Sequence, residues 1–179
     1  MPEPALYLVR HALPAMDPAT DPATWELGAG GRRSARRLRE HLPASAMLVA
    51  SPEPKAWQTL SITGNGLRRD RRLREVNRIE PFDDDFRDRR RRYVCGEALP
   101  GWEPRSEVAS RFAAAVSEAQ RQAGGRPVVL ATHGMAMTVW LAQAIGLADP
   151  GAFWADLRLP DLLAVDLAGR AVGRVLHLT

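Results

Sequence analysis

Cysteine is almost absent. Cys95 is the only one in 179 residues, which excludes an internal disulfide framework and any metal site built from several thiolates. Lysine is as scarce, with Lys55 alone among 25 cationic side chains. The formal charge of +4 is therefore carried by arginine. That bias belongs to the whole chain and says little about any one position, so Lys55 is the informative exception. No apolar run approaches the roughly 20 residues needed to span a bilayer. The first residues lead straight into an apolar stretch without the basic-then-apolar pattern of a signal peptide. These absences point to a cytoplasmic protein with no membrane partner. No internal repeat or linker divides the chain, and 45% hydrophobic with 26% charged residues is the composition of a globular protein able to bury a core. We therefore expect one domain over residues 1–179.

What is present begins with Leu6-Tyr7-Leu8-Val9, a short β-prone run ending abruptly in Arg10 and His11, as a buried strand does when it delivers polar side chains at its carboxyl end. In open α/β sheets that edge binds ligands. His11 taken alone is open between nucleophile, proton shuttle, metal ligand and satisfied core residue. The following stretch to residue 30 is loop chemistry, placed to drape over the strand end. Residues 31–42 are amphipathic at helical spacing, with His41 on the surface. Residues 46–50 form a second buried strand. Ser51 and Pro52 then read as the start of a helix, which puts Lys55 in its first turn, where added positive charge suits an anion or a snorkelling surface side chain.

Residues 67–76 read as a polar extended segment holding Glu75 among Arg72, Arg74 and Arg78. Between Asp83 and Tyr93 the acids come first and the bases last, and Asp83/Arg87, Asp85/Arg89 and Asp88/Arg92 are spaced to pair on an exposed helix. This argues against a nucleic-acid patch. Residues 96–104 are a turn-rich connector read as a rim or lid. A helix over 105–123 stops at Gly124-Gly125, and residues 127–132 repeat the opening pattern, a buried run ending in His133 and Gly134. The apolar helix over 135–145 reads as core. Two strands, 162–167 and 171–178, finish the chain, with His177 structural. Strands alternating with helices predict a three-layer α/β/α sandwich around a mostly parallel sheet.

A parallel sheet brings His11 and His133 to one edge. Each precedes a small residue, Ala12 or Gly134, that lets an anion approach the backbone. The helix after His133 offers free N–H groups. Arg10 adds a planar fork for phosphate oxygens and Lys55 a second cation. Two imidazoles and two permanent cations with hardly any acid repel metals and attract phosphate. In-line attack by one imidazole on phosphorus is the sensible chemistry, with Glu75 the candidate to protonate the leaving alcohol.

Val9-Arg10-His11-Ala12, Ser51-Pro52 with Lys55-Ala56 and Gln58-Thr59, Leu73 with Glu75, and Thr132-His133-Gly134 together resemble the motifs of the histidine phosphatase superfamily, the phosphoglycerate mutase-like proteins. The resemblance implies a phosphoglycerate mutase-like fold, His11 as the phosphorylated nucleophile, Arg10 and His133 on the phosphoryl group, and Glu75 as acid and then base. It implies no metal and no organic cofactor. Two positions depart from the family pattern: Ala12 stands where glycine is usual, and Lys55 stands where a second phosphate-binding arginine is expected.

The short spacing between Glu75 and His133 leaves no room for the insertion that mutases close over their substrate. The expectation is therefore a metal-independent phosphatase acting on a small phosphomonoester through phosphohistidine. Two alternatives stand beside it: a protein phosphohistidine phosphatase with a phosphoprotein partner, and a catalytically weak protein that binds phosphate ligands or RNA. The substrate and the oligomeric state are not written in the sequence.

Overall fold

A computed structural model describes residues 5–61, 66–81 and 83–175. Six strands form one sheet: β1 (Leu6–Arg10), β2 (Met47–Ala50), β3 (Arg68–Arg69), β4 (Val128–Thr132), β5 (Asp161–Asp166) and β6 (Ala171–Arg174), in the order β3-β2-β4-β1-β5-β6. β1, β2, β3 and β4 are parallel, and β5 pairs antiparallel with both β1 and β6. The sheet is mostly parallel, as expected, with the one reversal at β5. The register pairs Arg10 with Thr132 and Ala50 with Ala131, so His11, Ser51 and His133 all follow at the same edge.

Among the described residues six helices cover the two faces: α1 (Ala29–Leu38), α2 (Pro54–Ser61), α3 (Phe86–Cys95), α4 (Arg105–Ala123), α5 (Gly134–Ala144) and α6 (Pro150–Asp156). Side chains alternate across a strand, and the two cores follow that alternation. Leu6, Leu8, Val128 and Leu130 pack under Phe112, Val116, Met137 and Leu141 of α4 and α5. Tyr7, Val9, Val129 and Ala131 pack under Leu38 of α1 and Leu60 of α2. This is the three-layer α/β/α sandwich that the alternation of strands and helices predicted. α5 is buried from Gly134 to Leu141, a core helix as its apolar sequence implied.

Several local expectations are corrected. α2 begins at Pro54, not at Ser51, because Pro52 and Pro54 hold Glu53 between them out of the helix. α6 went unread, although Asp149 accepts from the Ala152 N–H and Pro150 opens the helix, a start signal of cap and proline. Of the three pairs expected around α3 only Asp88–Arg92 forms, at 3.8 Å, while Asp83 turns to Arg89 instead. Asp83 lies ahead of the helix, where helical spacing does not apply. His41 is exposed on a 3-10 turn after α1. His177 lies outside the described residues, as does Gly64, which with Gly66 reads as closing the helix after Ser51.

Candidate active site

The ends of β1, β2 and β4 deliver Arg10 and His11, Ser51, and His133, and α2 pins the loop above them. Thr59 Oγ1 accepts from the Ala12 N–H at 2.9 Å, Gln58 Oε1 accepts from the Leu27 N–H at 2.8 Å, and the Lys55 N–H donates to the Trp25 carbonyl. The loop after His11 is therefore fastened across the sheet edge at three points, and it walls a cleft of roughly 1020 Å³. Arg10, His11, Lys55, Glu75 and Gly134 all line this cleft. α3 supplies the opposite wall with Arg87, Arg90 and Arg91. The connector over 96–104 contributes nothing to the lining and is no lid. Trp102 instead bridges to Arg78 and packs at a tilt against Tyr93, buttressing the wall from behind.

His11 and His133 face each other with ring centroids 5.2 Å apart. His11 Nδ1 donates to the Ala12 carbonyl at 2.9 Å; a carbonyl only accepts, so the proton is on Nδ1 and Nε2 carries the lone pair. Burial holds His11 well below the usual imidazole range, and His133 and Lys55 push it the same way. His133 is fully buried, also held low by burial and then by Lys55. Its Nε2 lies 2.8 Å from Ser51 Oγ, while its Nδ1 has no hydrogen-bond partner. Ser51 thus serves the histidine rather than capping a helix.

Arg10 Nη1 donates to the Leu157 carbonyl at 2.6 Å, just past α6, and its Nε is buried without a partner. Burial lowers this guanidinium from its ordinary value. A Cβ on Gly134 would stand 3.3 Å from Arg10 Nε and 3.2 Å from Trp154 Nε1, so glycine is what lets the arginine lie against the start of α5. Neither α6 nor Leu157 had a signal in the strand-end motifs.

Two acids change the expected electrostatics. The Glu75 carboxylate accepts from the Ala136 N–H at 2.9 Å, the Met135 N–H at 3.3 Å and its neighbour Val76 at 3.0 Å. Two of the N–H groups expected to be free at the start of α5 are therefore taken by this side chain and not left for an anion. The arginines around Glu75 are paired elsewhere: Arg72 with Asp70, Arg74 with Glu103, which Arg111 shares, and Arg78 with Glu80, which Arg90 shares. Glu53 was overlooked altogether. It pairs with Lys55 at 2.6 Å and lies 3.4 Å from His133 Nε2. Its signal was the two prolines flanking it, which keep it off the helix and at the sheet edge. Among the described residues no group of three or more His, Cys, Asp or Glu could hold a metal ion, and no helix is long and apolar enough to cross a membrane.

The profile of the histidine phosphatase superfamily (branch 1) matches residues 6–169. The chain belongs to the histidine phosphatase superfamily. It is a hydrolase of the phosphatase kind. Among solved structures it is similar to TTHB049 from Thermus thermophilus, with TM-score 0.68 and 26% identity over 96% of this chain and 98% of that one. It also resembles mycobacterial glucosyl-3-phosphoglycerate phosphatase in complex with inorganic phosphate, with TM-score 0.68 and 24% identity over 90% and 89%. Mycobacterial hydrolase 1 follows at TM-score 0.66 and 23% identity over 88% and 90%. A search of the curated proteins gave no match.

Proposed function

We propose that this histidine phosphatase hydrolyses a small phosphomonoester, without a metal, through a phosphohistidine on His11. The observation that carries the reading is the polarity of the two facing rings. His11 presents an unprotonated Nε2, and beside it two buried nitrogens, His133 Nδ1 and Arg10 Nε, have no partner in the protein. A buried polar atom without a partner is costly; a phosphoryl oxygen would accept from Arg10 Nε–H, and from His133 Nδ1–H in the tautomer in which Nε2 accepts from the Ser51 hydroxyl.

In the proposed cycle, His11 Nε2 attacks phosphorus in line and the ester P–O bond breaks. Arg10, Lys55 and His133 offset the charge on the equatorial oxygens. Glu75 gives its proton to the departing alkoxide, then takes one from water as that water attacks the phosphohistidine, releasing inorganic phosphate and restoring the imidazole. Glu75 Oε1 is engaged by two N–H groups and Oε2 by one longer contact, so Oε2 is the oxygen free to exchange the proton. On the α3 wall Arg90 is paired with Glu80, while Arg87 and Arg91 line the cleft beside Asp88; this net-basic wall favours an anionic ester. The similarity to a phosphatase of a phosphorylated glycerate derivative supports the same class.

The test is hydrolysis of p-nitrophenyl phosphate with and without EDTA, combined with acid quenching to trap labelled phosphohistidine. Wild-type turnover insensitive to EDTA and lost in His11→Ala is expected. Metal-dependent turnover, or full activity in that variant, overturns the reading.

A further inference from the structure

We propose that Glu53 is a positioning residue for Lys55: it clamps the ammonium so that its remaining N–H meets a phosphoryl oxygen in a fixed place. The inference rests on the reading of the cleft as a phosphoryl-transfer site and concerns a residue with no part in the cycle above.

A lysine is a point charge with three donors on a flexible four-carbon stem, so by itself it gives a phosphate little directional contact. Lys55 is not left to itself. Nζ donates to Glu53 Oε2 at 2.6 Å and to the Pro22 carbonyl at 2.6 Å, which commits two donors and leaves one. The pair is almost enclosed, with side chains 8% and 12% exposed, yet both residues line the cleft. Glu53 is fixed in its turn, because Oε1 accepts from the Glu75 N–H at 2.7 Å. The chain of constraint therefore runs from the backbone beside the candidate acid, through one carboxylate, to the cation. On the other side the loop that closes the cleft holds the same ammonium through Pro22.

An acid inside an anion site also repels the anion, and the two effects can be told apart. If Glu53 were only a counter-charge, removing its charge would tighten phosphate binding and shortening its side chain would do nothing. If it is a clamp, its reach matters at constant charge.

The experiment measures vanadate binding by calorimetry and steady-state hydrolysis of p-nitrophenyl phosphate. Glu53→Asp keeps the charge and withdraws it by one methylene. The expected result is vanadate binding weakened about tenfold with KM raised in parallel and kcat changed less, the scale of one charge-assisted hydrogen bond displaced. Glu53→Gln keeps the length and an acceptor oxygen and weakens binding by less. In a Lys55→Met background, Glu53→Asp has no further effect, because the two residues act as one unit. Unchanged binding in Glu53→Asp, tighter binding in Glu53→Gln, or an equal loss with and without Lys55 overturns the clamp. Thermal unfolding of each variant separates a lost contact from a lost fold. A wild-type protein that neither binds vanadate nor hydrolyses the ester would sink the phosphatase reading itself, whereas an active wild type with indifferent Glu53 variants sinks the clamp alone.

Discussion

Glu75 caps the helix that follows His133: its Oε1 accepts from the Ala136 N–H at 2.9 Å. One carboxylate thus completes the start of α5 and faces the cleft where a leaving group would depart, so its removal acts on two properties at once. Glu75→Gln loses the charge at a helix N-terminus, which costs about 0.3–1 kcal/mol, and should lower Tm by a few degrees. It also loses the proton donor. With an alkyl phosphate, kcat should fall by about 10²–10⁴-fold. With p-nitrophenyl phosphate, whose phenolate departs with little help, the fall should be much smaller. Equal losses on the two substrates would rule out proton donation by Glu75.

Gly134 keeps Arg10 against α5. In Gly134→Ala the new methyl would meet Arg10 Nε at 3.3 Å and Trp154 Nε1 at 3.2 Å. The position is helical and alanine is the better helix former, so the fold should hold. The guanidinium has to move, and KM for the phosphoester should rise about tenfold, the scale of one charge-assisted hydrogen bond displaced, with Tm shifted little. A large fall in Tm with KM intact would mean that Arg10 yields without consequence for binding.

The buried imidazoles make stability depend on pH. His11 and His133 are both held well below the ordinary value of 6.5, chiefly by burial. Below about pH 6.5 the unfolded chain takes up protons at these positions and the folded one does not. This contribution to stability is therefore complete above that pH and lost as pH falls. Tm measured without phosphate should be level above neutrality and drop steeply towards pH 5. His133→Gln should flatten the slope even if its Tm at neutral pH is lower. A wild-type Tm that stays level to pH 5 would show that these rings accept protons in the folded state.

The strands and the long helices were legible because their apolar spacing reports burial directly: β1, β4 and α4 carry the pattern in five to nineteen residues. The two histidines and Arg10 were legible because a strand end has only one place to put the next side chain. What the chain order hid was lateral. Glu53 reads as a helix-start residue until Pro52 and Pro54 are weighed together, and Leu157 reaches Arg10 only because α6 packs beside it. The acid–base pairing of Arg72, Arg74 and Arg78 depends on partners brought in by other elements, which no local spacing encodes. Two N–H groups of the helix start that looked like an anion cradle, those of Met135 and Ala136, were already taken by a side chain from a distant loop.

Arg111, on α4, holds that loop in place. Its Nη1 donates to the Arg72 carbonyl at 2.6 Å and the Arg74 carbonyl at 2.9 Å, and its Nη2 to the Glu75 carbonyl at 3.2 Å, while Glu103 takes Nε at 2.7 Å and Nη2 at 3.0 Å. A lysine cannot reproduce this fork. Arg111→Lys should therefore leave carbonyls and a largely buried carboxylate under-satisfied, costing about 1–3 kcal/mol, and should let the Glu75 backbone shift. If the arginine matters to turnover only by placing Glu75, its effect on kcat for an alkyl phosphate should vanish in a Glu75→Gln background, while its effect on Tm persists there. Additive losses in kcat would instead mean that Arg111 reaches the chemistry by another route.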